Sequence, residues 1–370
     1  MFKLVYTLVL AAASAEHIRS IFTDDEVKHC KNQFGGPNFV YGDGMLFVFV
    51  QCAKRVSSLA SAANQTDDQL GDIMGEATCV MKSSGSHGVS WGNFTTLSPP
   101  GKTGYGECKG IWDATRNRLV VQYSFTPSGD SSKTAGKTFY QITSTDHGKK
   151  WTTPRDLTKE LAGCDDGDAK PRMMAGNRIQ TMTGRLLWGG ESNGAPCFWY
   201  SDDGGDTYHT TKRQEHLQDP NEFSLVQTKS PGHIYMNSRK GTGCSQSNHR
   251  RQYLSLDDGV TWTGPNCSTL IDAVNEHGHG CEASLTLHGS NLFFLNPSGT
   301  GTDARTDMQV HCSKDSGRSW TSKYKVSSTH DGGYSDIIHL NDKSTNPLLL
   351  GFHNSDNSNI LTIFIGTSWC

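Results

Sequence analysis

The octapeptide SLDDGVTW, residues 255–262, combines an acidic pair, a glycine, a hydroxyl residue and a tryptophan, and the chain repeats this pattern. Further copies are STDHGKKW ending at Trp151, SDDGGDTY ending at Tyr208 and SKDSGRSW ending at Trp320. A worn copy, SGSHGVSW, ends at Trp91. The five aromatic positions are separated by 60, 57, 54 and 58 residues. Near-regular spacing of this size indicates a repeat architecture.

The segments between the copies have the features of short β-strands. RLVVQYSF, RLLWGG, HIYMNS, NLFFLN and LLLGFH are apolar or alternating runs bounded by Gly, Asn, Asp or Pro. No segment of comparable length has a 3.6-residue period, so we expect helices to be minor. Four short strands in each repeat, arranged around an axis, predict an all-β fold of the β-propeller type.

Within such a repeat, each octapeptide is best interpreted as a hairpin turn. The Asp side chain would bond to turn amides, the Gly would adopt a positive φ, and the aromatic ring would pack between strands. We therefore assign these Asp residues a structural role and no catalytic one.

Composition and the N-terminal segment limit the class of protein. The chain has 370 residues and a formal charge of −3, without the Lys/Arg run that a nucleic-acid partner requires. MFKLVYTLVLAAASA contains Lys3, an apolar stretch and Ala13-Ser14-Ala15, which predicts a signal peptide over residues 1–15 and a secreted domain over 16–370. The alternative is a short membrane anchor, but the run is shorter than the ~20 residues of a membrane span.

Cysteines and glycosylation motifs agree with secretion. Eleven cysteines follow residue 15. In an oxidising compartment most should pair, and the odd number leaves at least one free or joined to another chain. No paired CxxC spacing indicates a zinc ribbon, and we expect no metal site. Asn64, Asn93 and Asn266 lie in N-glycosylation motifs.

The octapeptides resemble the Asp-boxes of the sialidases, and the resemblance extends through nearly all of residues 16–370. Sialidases are six-bladed β-propellers, so five copies plus a closing blade shared by both chain ends would make six. The resemblance also implies a glycoside hydrolase that needs no cofactor and acts on sialylated glycans or glycoproteins. Asp-boxes occur in non-enzymatic propellers too, so activity depends on the site residues.

The chemistry of sialic acid release requires particular side chains. The sugar carries a carboxylate that would repel a carboxylate nucleophile, and sialidases use a tyrosine instead. A neighbouring glutamate takes the phenolic proton, an acid protonates the leaving oxygen, and arginines bind the substrate's carboxylate through charge-assisted bonds.

Four segments resemble the family's catalytic segments in the expected order. DPNEFSLVQ offers Glu222 as the base, and YMNSRKG offers Arg239. LFFLNPSGTGTDARTDMQV offers Arg305, and GGYSDIIHL offers Tyr334 as the nucleophile. Each residue alone could be an ordinary core or surface side chain, but the ordered set is far more specific.

The general acid is expected on a long loop after Arg55, which matches a second family arginine near the site. Counting back from the first octapeptide favours Asp72, while Asp67 and Asp68 stay open as alternatives. An acid on a mobile loop over the pocket would be mechanically reasonable.

The chain departs from the family at two positions. FGGP, residues 34–37, places Gly35 where the family has its first carboxylate-binding arginine. His353 stands where the family has the glutamate that braces this arginine. The loss of the arginine and the loss of the glutamate are consistent with each other, because a buried carboxylate without its cation would be destabilising. Lys31 could supply a replacement charge, or be an ordinary exposed lysine.

Three other segments allow weaker interpretations. EHGHGCE, residues 276–282, could ligate zinc, but two histidines need a third ligand. CDDGDAKPR, from Cys164, resembles part of a calcium loop without the full ligand pattern. Arg178 could contact substrate, although a solvated arginine is the favoured interpretation.

The sequence thus predicts a secreted, retaining exo-α-sialidase that acts on sialic acid or a related acidic sugar. Two alternatives remain: a carbohydrate-binding propeller without turnover, and a glycosidase or lyase of the same fold with another sugar specificity.

Overall fold

The structure is a computed structural model. It describes residues 18–30, 35–54, 76–99, 104–126, 137–164, 171–192, 195–211, 214, 216–217, 222–239, 249–273, 280–299, 305–326, 332–340, 344–354 and 358–370. Within these ranges, the helical elements are α1 (Asp24–His29) and a single 3-10 turn (Ala162–Cys164). The predicted minor role of helices is confirmed. None of the helices in these ranges is long and apolar enough to cross a membrane.

The described residues form six four-stranded antiparallel sheets. In chain order the strands are β1 (Arg19–Ser20), β2 (Asn38–Gly42), β3 (Met45–Lys54), β4 (Glu76–Ser84), β5 (Thr95–Thr96), β6 (Tyr105–Asp113), β7 (Arg118–Phe125), β8 (Thr138–Ser144), β9 (Arg155–Asp156), β10 (Arg172–Gln180), β11 (Leu186–Ser192), β12 (Ala195–Ser201), β13 (His209–Thr210), β14 (Phe223–Gln227), β15 (Ile234–Ser238), β16 (His249–Ser255), β17 (Thr263–Ile271), β18 (Ser284–His288), β19 (Asn291–Pro297), β20 (Met308–Ser313), β21 (Ser322–Lys325), β22 (Ser335–His339), β23 (Leu348–His353) and β24 (Ile360–Ile365).

The sheets are the blades of a six-bladed β-propeller. Blades 1 to 5 are β2–β5, β6–β9, β10–β13, β14–β17 and β18–β21, each in chain order. Their first strands contact one another in a closed ring, β2, β6, β10, β14, β18, β22 and back to β2. Blade 6 contains β22, β23 and β24, and the N-terminal β1 adds its outer strand. The predicted all-β, six-bladed fold with a blade shared by both chain ends is confirmed.

Each octapeptide forms the turn between the third and fourth strands of a blade. In the copy at 255–262, the Ser255 hydroxyl accepts a 2.9 Å bond from the Gly259 amide. Asp257 accepts bonds of 2.8 Å and 2.6 Å from the amide and hydroxyl of Thr261. Both Asp258 and Gly259 have positive φ, +59° and +87°. The predicted structural role of the motif is confirmed, and the residue before the glycine shares the left-handed conformation.

The worn copy keeps this geometry with a serine in place of the aspartate. Ser84 accepts a 2.8 Å bond from the Gly88 amide, and Ser86 accepts a 2.9 Å bond from the Ser90 amide. A hydroxyl therefore replaces the missing carboxylate as the acceptor within the turn. This substitution explains why the first repeat folds without its acidic residue.

The hydrophobic core is divided into clusters that lie between neighbouring blades. Between blades 3 and 4, Leu187 and Phe198 pack against Leu225 and Trp262. The Trp262 ring stacks on Phe198 with centroids 4.7 Å apart, so the octapeptide of one blade fixes it against the preceding blade. Comparable clusters occupy the junctions of the other blades. Strands buried on both faces must be apolar along their length, which is the pattern of RLVVQYSF.

Disulfides reinforce this arrangement, as predicted. The described pairs are Cys30–Cys52, Cys79–Cys108, Cys164–Cys197 and Cys312–Cys370, and Cys267 is also disulfide-bonded. Cys79–Cys108 joins blade 1 to blade 2. Cys281 is the free, buried cysteine of the described residues, in agreement with the odd cysteine number.

Candidate active site

The predicted site residues come together at one end of the ring of first strands. Glu222 directly precedes β14, and Tyr334 directly precedes β22. Arg239 directly follows β15, whose pairing with β14 places Ser238 opposite Phe223. The backbone amide of Arg239 donates a 2.8 Å bond to the Glu222 carbonyl, which fixes the two residues side by side. Strand pairing therefore converts a separation of 17 residues into a direct contact.

The centre of the site is a hydrogen bond between Tyr334 and Glu222. The Tyr334 hydroxyl donates to Glu222 Oε1 at 2.5 Å. The other carboxylate oxygen, Oε2, accepts a 2.8 Å bond from Arg239 Nη1. Glu222 and Arg239 are each 7% exposed, so both charges are held away from bulk water. The carboxylate thus bonds to the phenol on one side and to a cation on the other.

Arg305 places a second cation over the same phenol. Its Cζ lies 5.3 Å from the centroid of the Tyr334 ring. A guanidinium at this distance from an aromatic face interacts favourably with the π electrons. Of the six predicted catalytic and binding residues, Tyr334, Glu222, Arg239 and Arg305 therefore lie together.

The charges in the site set opposite protonation states for the phenol and the carboxyl group. Burial raises the pKa of Tyr334 well above its usual value, and the charge of Glu222 raises it further. Burial also acts to raise the pKa of Glu222, but the Arg239 guanidinium and the Tyr334 hydrogen bond outweigh it, and this pKa is lowered. At neutral pH the site therefore contains a neutral phenol bonded to an ionised carboxylate, an arrangement in which the carboxylate can accept the proton of the phenol.

The two departures from the family pattern lie beside this centre. The His353 ring is 5.9 Å from the Tyr334 ring, centroid to centroid. The Gly35 amide donates a 2.8 Å bond to the Gln51 carbonyl, and a Cβ on Gly35 would lie 2.9 Å from Gln51 Cβ. Gln51 thus occupies the space next to Gly35 that a longer side chain would enter.

Glu282 is a further acidic residue of the site, and sequence reasoning considered it only as part of a zinc segment. It lies two residues before β18 and is 4% exposed. A Cβ on Gly36 would lie 3.2 Å from Tyr334 Cβ and 3.5 Å from Glu282 Oε2, so the glycine separates the two side chains. An acidic residue two positions before an apolar strand was the available sequence signal. Its neighbours could not be identified because they lie far away in sequence.

Arg178 is not solvated, so the favoured interpretation was wrong. Its side chain is 6% exposed, and Nη2 forms a 2.9 Å ion pair with Asp336 Oδ2. Asp336 also accepts a 2.7 Å bond from the Phe39 amide. Residues 178 and 336 come from β10 and β22 on different sides of the ring. Both residues line a cavity of about 230 Å³.

Several predicted residues lie outside the part of the chain that the structure describes. These are Arg55, Asp67, Asp68, Asp72 and Lys31, and also His277 and His279 of the zinc segment and the carboxylates of residues 165–168 in the calcium-loop segment. Among the described residues, no group of three or more His, Cys, Asp or Glu side chains could hold a metal ion.

Comparison with known proteins shows the family of the chain. A family model described as a BNR repeat-like domain matches residues 75–346, which is most of the chain. The chain belongs to this BNR repeat-like family. The chain is also 26% identical over 330 residues to an exo-alpha-sialidase of Arthroderma benhamiae, and the match covers 85% of this chain and 70% of the relative.

Solved structures of sialidases have the same fold as this chain. The Hadza microbial sialidase Hz136 superposes with a TM-score of 0.72 at 18% identity, covering 90% of this chain and 66% of that chain. A Trypanosoma rangeli sialidase, solved as a covalent intermediate with 2,3-difluorosialic acid, has a TM-score of 0.64 at 17% identity and covers 90% of this chain and 54% of its own. The predicted resemblance to sialidases and their six-bladed propeller is confirmed.

Proposed function

We propose that this protein is an exo-α-sialidase that releases terminal sialic acid, or a related acidic sugar, from glycans with retention of configuration. The observation that carries the proposal is the 2.5 Å hydrogen bond from the Tyr334 hydroxyl to Glu222, with Arg239 and Arg305 beside it. Sequence similarity to exo-alpha-sialidases supports a glycoside hydrolase of this class.

In the first step, Tyr334 Oη attacks the anomeric carbon while its proton passes to Glu222 Oε1. The bond between the anomeric carbon and the leaving oxygen breaks, and an acid protonates that oxygen. The high pKa of Tyr334 keeps the phenol neutral until the substrate arrives, so the substrate's carboxylate meets no anionic nucleophile. The lowered pKa of Glu222 keeps the base ready to accept the proton.

In the second step, water attacks the anomeric carbon of the tyrosyl-sugar intermediate. The phenolate regains its proton from Glu222, and the residue that acted as acid takes a proton from the water. Two displacements at the same carbon give net retention. We propose Asp72 as this acid, with Asp67 and Asp68 as the alternatives on the same loop.

Arg239 and Arg305 would bind the carboxylate of the sugar. Arg239 pairs with the carboxylate that accepts the Tyr334 hydrogen bond, and Arg305 lies over the Tyr334 ring, so an anion bound between them would lie near the attacking oxygen. Arg239 donates to Glu222 through Nη1, and we propose that its guanidinium also forms a charge-assisted bond to the substrate's carboxylate. Arg55 is proposed as a further substrate-binding residue from the sequence resemblance.

The place of action and the partners follow from the N-terminal segment and the substrate class. We propose that residues 1–15 are a signal peptide, that residues 16–370 form the catalytic domain, and that the protein is secreted. Its partners would then be sialylated glycans or glycoproteins. Asn93 and Asn266 are exposed, as glycosylated residues must be.

A related function is favoured by a separate observation. Gly35 carries no side chain for a third carboxylate contact, and loss of one charged hydrogen bond costs about 1.5–3 kcal/mol, or roughly one to two decades in affinity. A glycosidase of the same mechanism acting on another acidic sugar would tolerate this loss. A glycan array with free and methyl-esterified acidic sugars would distinguish the two specificities.

A fluorogenic α-sialoside assay tests the main proposal. We expect hydrolysis by the wild type and a loss of at least about a thousandfold in Tyr334→Phe. Tyr123→Phe is the control, because Tyr123 is a buried tyrosine of another blade whose hydroxyl has no hydrogen-bond partner among the described residues. A wild type that binds sialosides without hydrolysing them would instead identify a carbohydrate-binding propeller.

A further inference from the structure

Glu282 has an unusual environment for an acidic side chain in a protein interior. It is 4% exposed, and Oε1 is fully buried with no hydrogen-bond partner among the residues that the structure describes. Oε2 faces Gly36, next to Tyr334. Buried carboxyl groups are normally paired or hydrogen-bonded, so a buried carboxyl group with one unsatisfied oxygen and the other beside the candidate site indicates a ligand that completes it.

We propose that Glu282 binds the substrate as a neutral carboxylic acid, donating its proton in a hydrogen bond to the carboxylate of the sugar. This inference rests on the proposed function and deepens it, because it adds a third contact to those of Arg239 and Arg305. An O–H to carboxylate bond is charge-assisted and short. A carboxylic acid held neutral by an apolar site can serve as a donor in this way.

The surroundings of Glu282 favour the neutral form. Among the described residues, the charges that act on it come from Lys109 of β6, Arg178 of β10, Glu222 before β14 and Asp336 of β22, and the phenol of Tyr334 before β22 also interacts with it. Arg178 is already paired with Asp336, and Glu222 is already paired with Arg239. Burial, opposed by Lys109 and reinforced by the charges of Glu222 and Asp336, raises the pKa of Glu282 to about 8.

A proton on Glu282 also suits the anionic substrate. An ionised Glu282 beside Tyr334 would repel the substrate's carboxylate and further raise the pKa of the nucleophile. Gly36 lies between Glu282 and Tyr334 and has no side chain, so it leaves room for a substrate carboxylate to reach Glu282. Substrate binding should therefore be strong below pH 8 and weaken as Glu282 loses its proton above it.

Calorimetric titration with free sialic acid from pH 6 to 9.5 tests this role without depending on turnover. Binding of the wild type should weaken about tenfold from pH 7 to pH 9, because roughly one tenth of Glu282 stays protonated one unit above its pKa. Glu282→Gln keeps an N–H donor and does not titrate, so its affinity should be independent of pH over this range. Glu282→Leu should bind about tenfold or more weakly at pH 6.

The control is Glu160→Gln, which removes a partly exposed carboxylate that pairs with Arg155 away from the site. It should retain the alkaline loss of affinity. NMR of side-chain carboxyl carbons, assigned with Glu282→Gln, should show Glu282 titrating near pH 8 in the free protein.

Two results would overturn the inference. One is an alkaline limb that persists unchanged in Glu282→Gln while the wild type binds sialic acid. The other is a Glu282 carboxyl that titrates below pH 6. Absence of any sialic acid binding by the wild type would instead contradict the proposed function, and the contact inferred for Glu282 with it.

Discussion

The hydroxyl of Tyr334 and the carboxylate of Glu222 form a 2.5 Å hydrogen bond across 112 residues of sequence. Burial makes the phenol a poor acid, and the neighbouring arginine makes the carboxylate a stable anion. At neutral pH the proton of the pair is therefore on the tyrosine, and in the proposed mechanism it passes to Glu222 during attack. This division of roles gives the site a defined pH dependence.

Arg239→Met should move the acidic limb of the kcat/KM profile to higher pH. Activity requires ionised Glu222, so it falls as pH decreases through the pKa of this group. Arg239 lowers that pKa, so without Arg239 the pKa is higher and the limb shifts upward. The value of kcat/KM at its optimum should also fall about tenfold or more, through the lost contact to substrate.

Arg185→Met is the matched control for this profile. Arg185 forms an equally short ion pair, with Asp202, at a distance from the site. Its removal should leave the acidic limb where it is in the wild type. An unshifted limb in Arg239→Met would show that Glu222 is not the base that the profile reports.

Gly36→Ala should reduce turnover while leaving the protein folded. The added Cβ would lie 3.2 Å and 3.3 Å from Cβ and Cδ2 of Tyr334, closer than ordinary contacts allow. Displacing a nucleophile by a fraction of an ångström should lower kcat by about tenfold or more. Gly85→Ala, whose Cβ would make an ordinary 3.5 Å contact with Met45, should have wild-type kcat. Equal kcat values in the two variants would contradict the claim that a side chain at position 36 displaces Tyr334.

Gly259→Ala should destabilise the propeller much more than Gly289→Ala. Both glycines have positive φ, +87° and +61°, so each alanine costs about 1–2 kcal/mol of backbone strain. At Gly259 the new Cβ would also lie 2.5 Å from Leu187 of the preceding blade, adding about 1–3 kcal/mol, whereas Gly289 faces open space. Denaturant unfolding measures both variants, and similar losses would show that the turn does not hold blades together.

Cys281 should be unreactive in the folded protein. It is buried beside Tyr334, and burial raises the pKa of its thiol to about 12, so almost no thiolate forms at pH 8. Alkylation under non-reducing conditions should label it only after unfolding, as peptide mapping would show. Rapid labelling of Cys281 in the native state would contradict the packing described here.

The blades were predictable because their signals are local. The octapeptide spacing and apolar runs such as RLVVQYSF specify strands and turns without long-range information. Helix α1 was not predicted, although Thr23 and Glu26 form a capping box at its start. The first-repeat serine at position 86 was recognised only as a deviation, since its role as an acceptor depends on turn geometry.

The site was predictable only where family resemblance supplied the order of residues. Glu222, Arg239, Arg305 and Tyr334 were found in this way, although nothing local distinguishes them from other polar residues. The ion pair of Arg178 joins two strands 158 residues apart, so no local pattern could indicate it. The role of Glu282 could not be assigned from sequence for the same reason, since it depends on the proximity of Tyr334 and Gly36, which are distant in sequence.

Trapping with 2,3-difluorosialic acid, followed by peptide mass spectrometry, tests the central claim most directly. The account predicts a covalent sugar adduct on the peptide that contains Tyr334, with fragmentation locating it on the tyrosine, and no adduct in Tyr334→Phe. An adduct on Glu222 or any other residue, or undiminished sialoside hydrolysis by Tyr334→Phe, would contradict it.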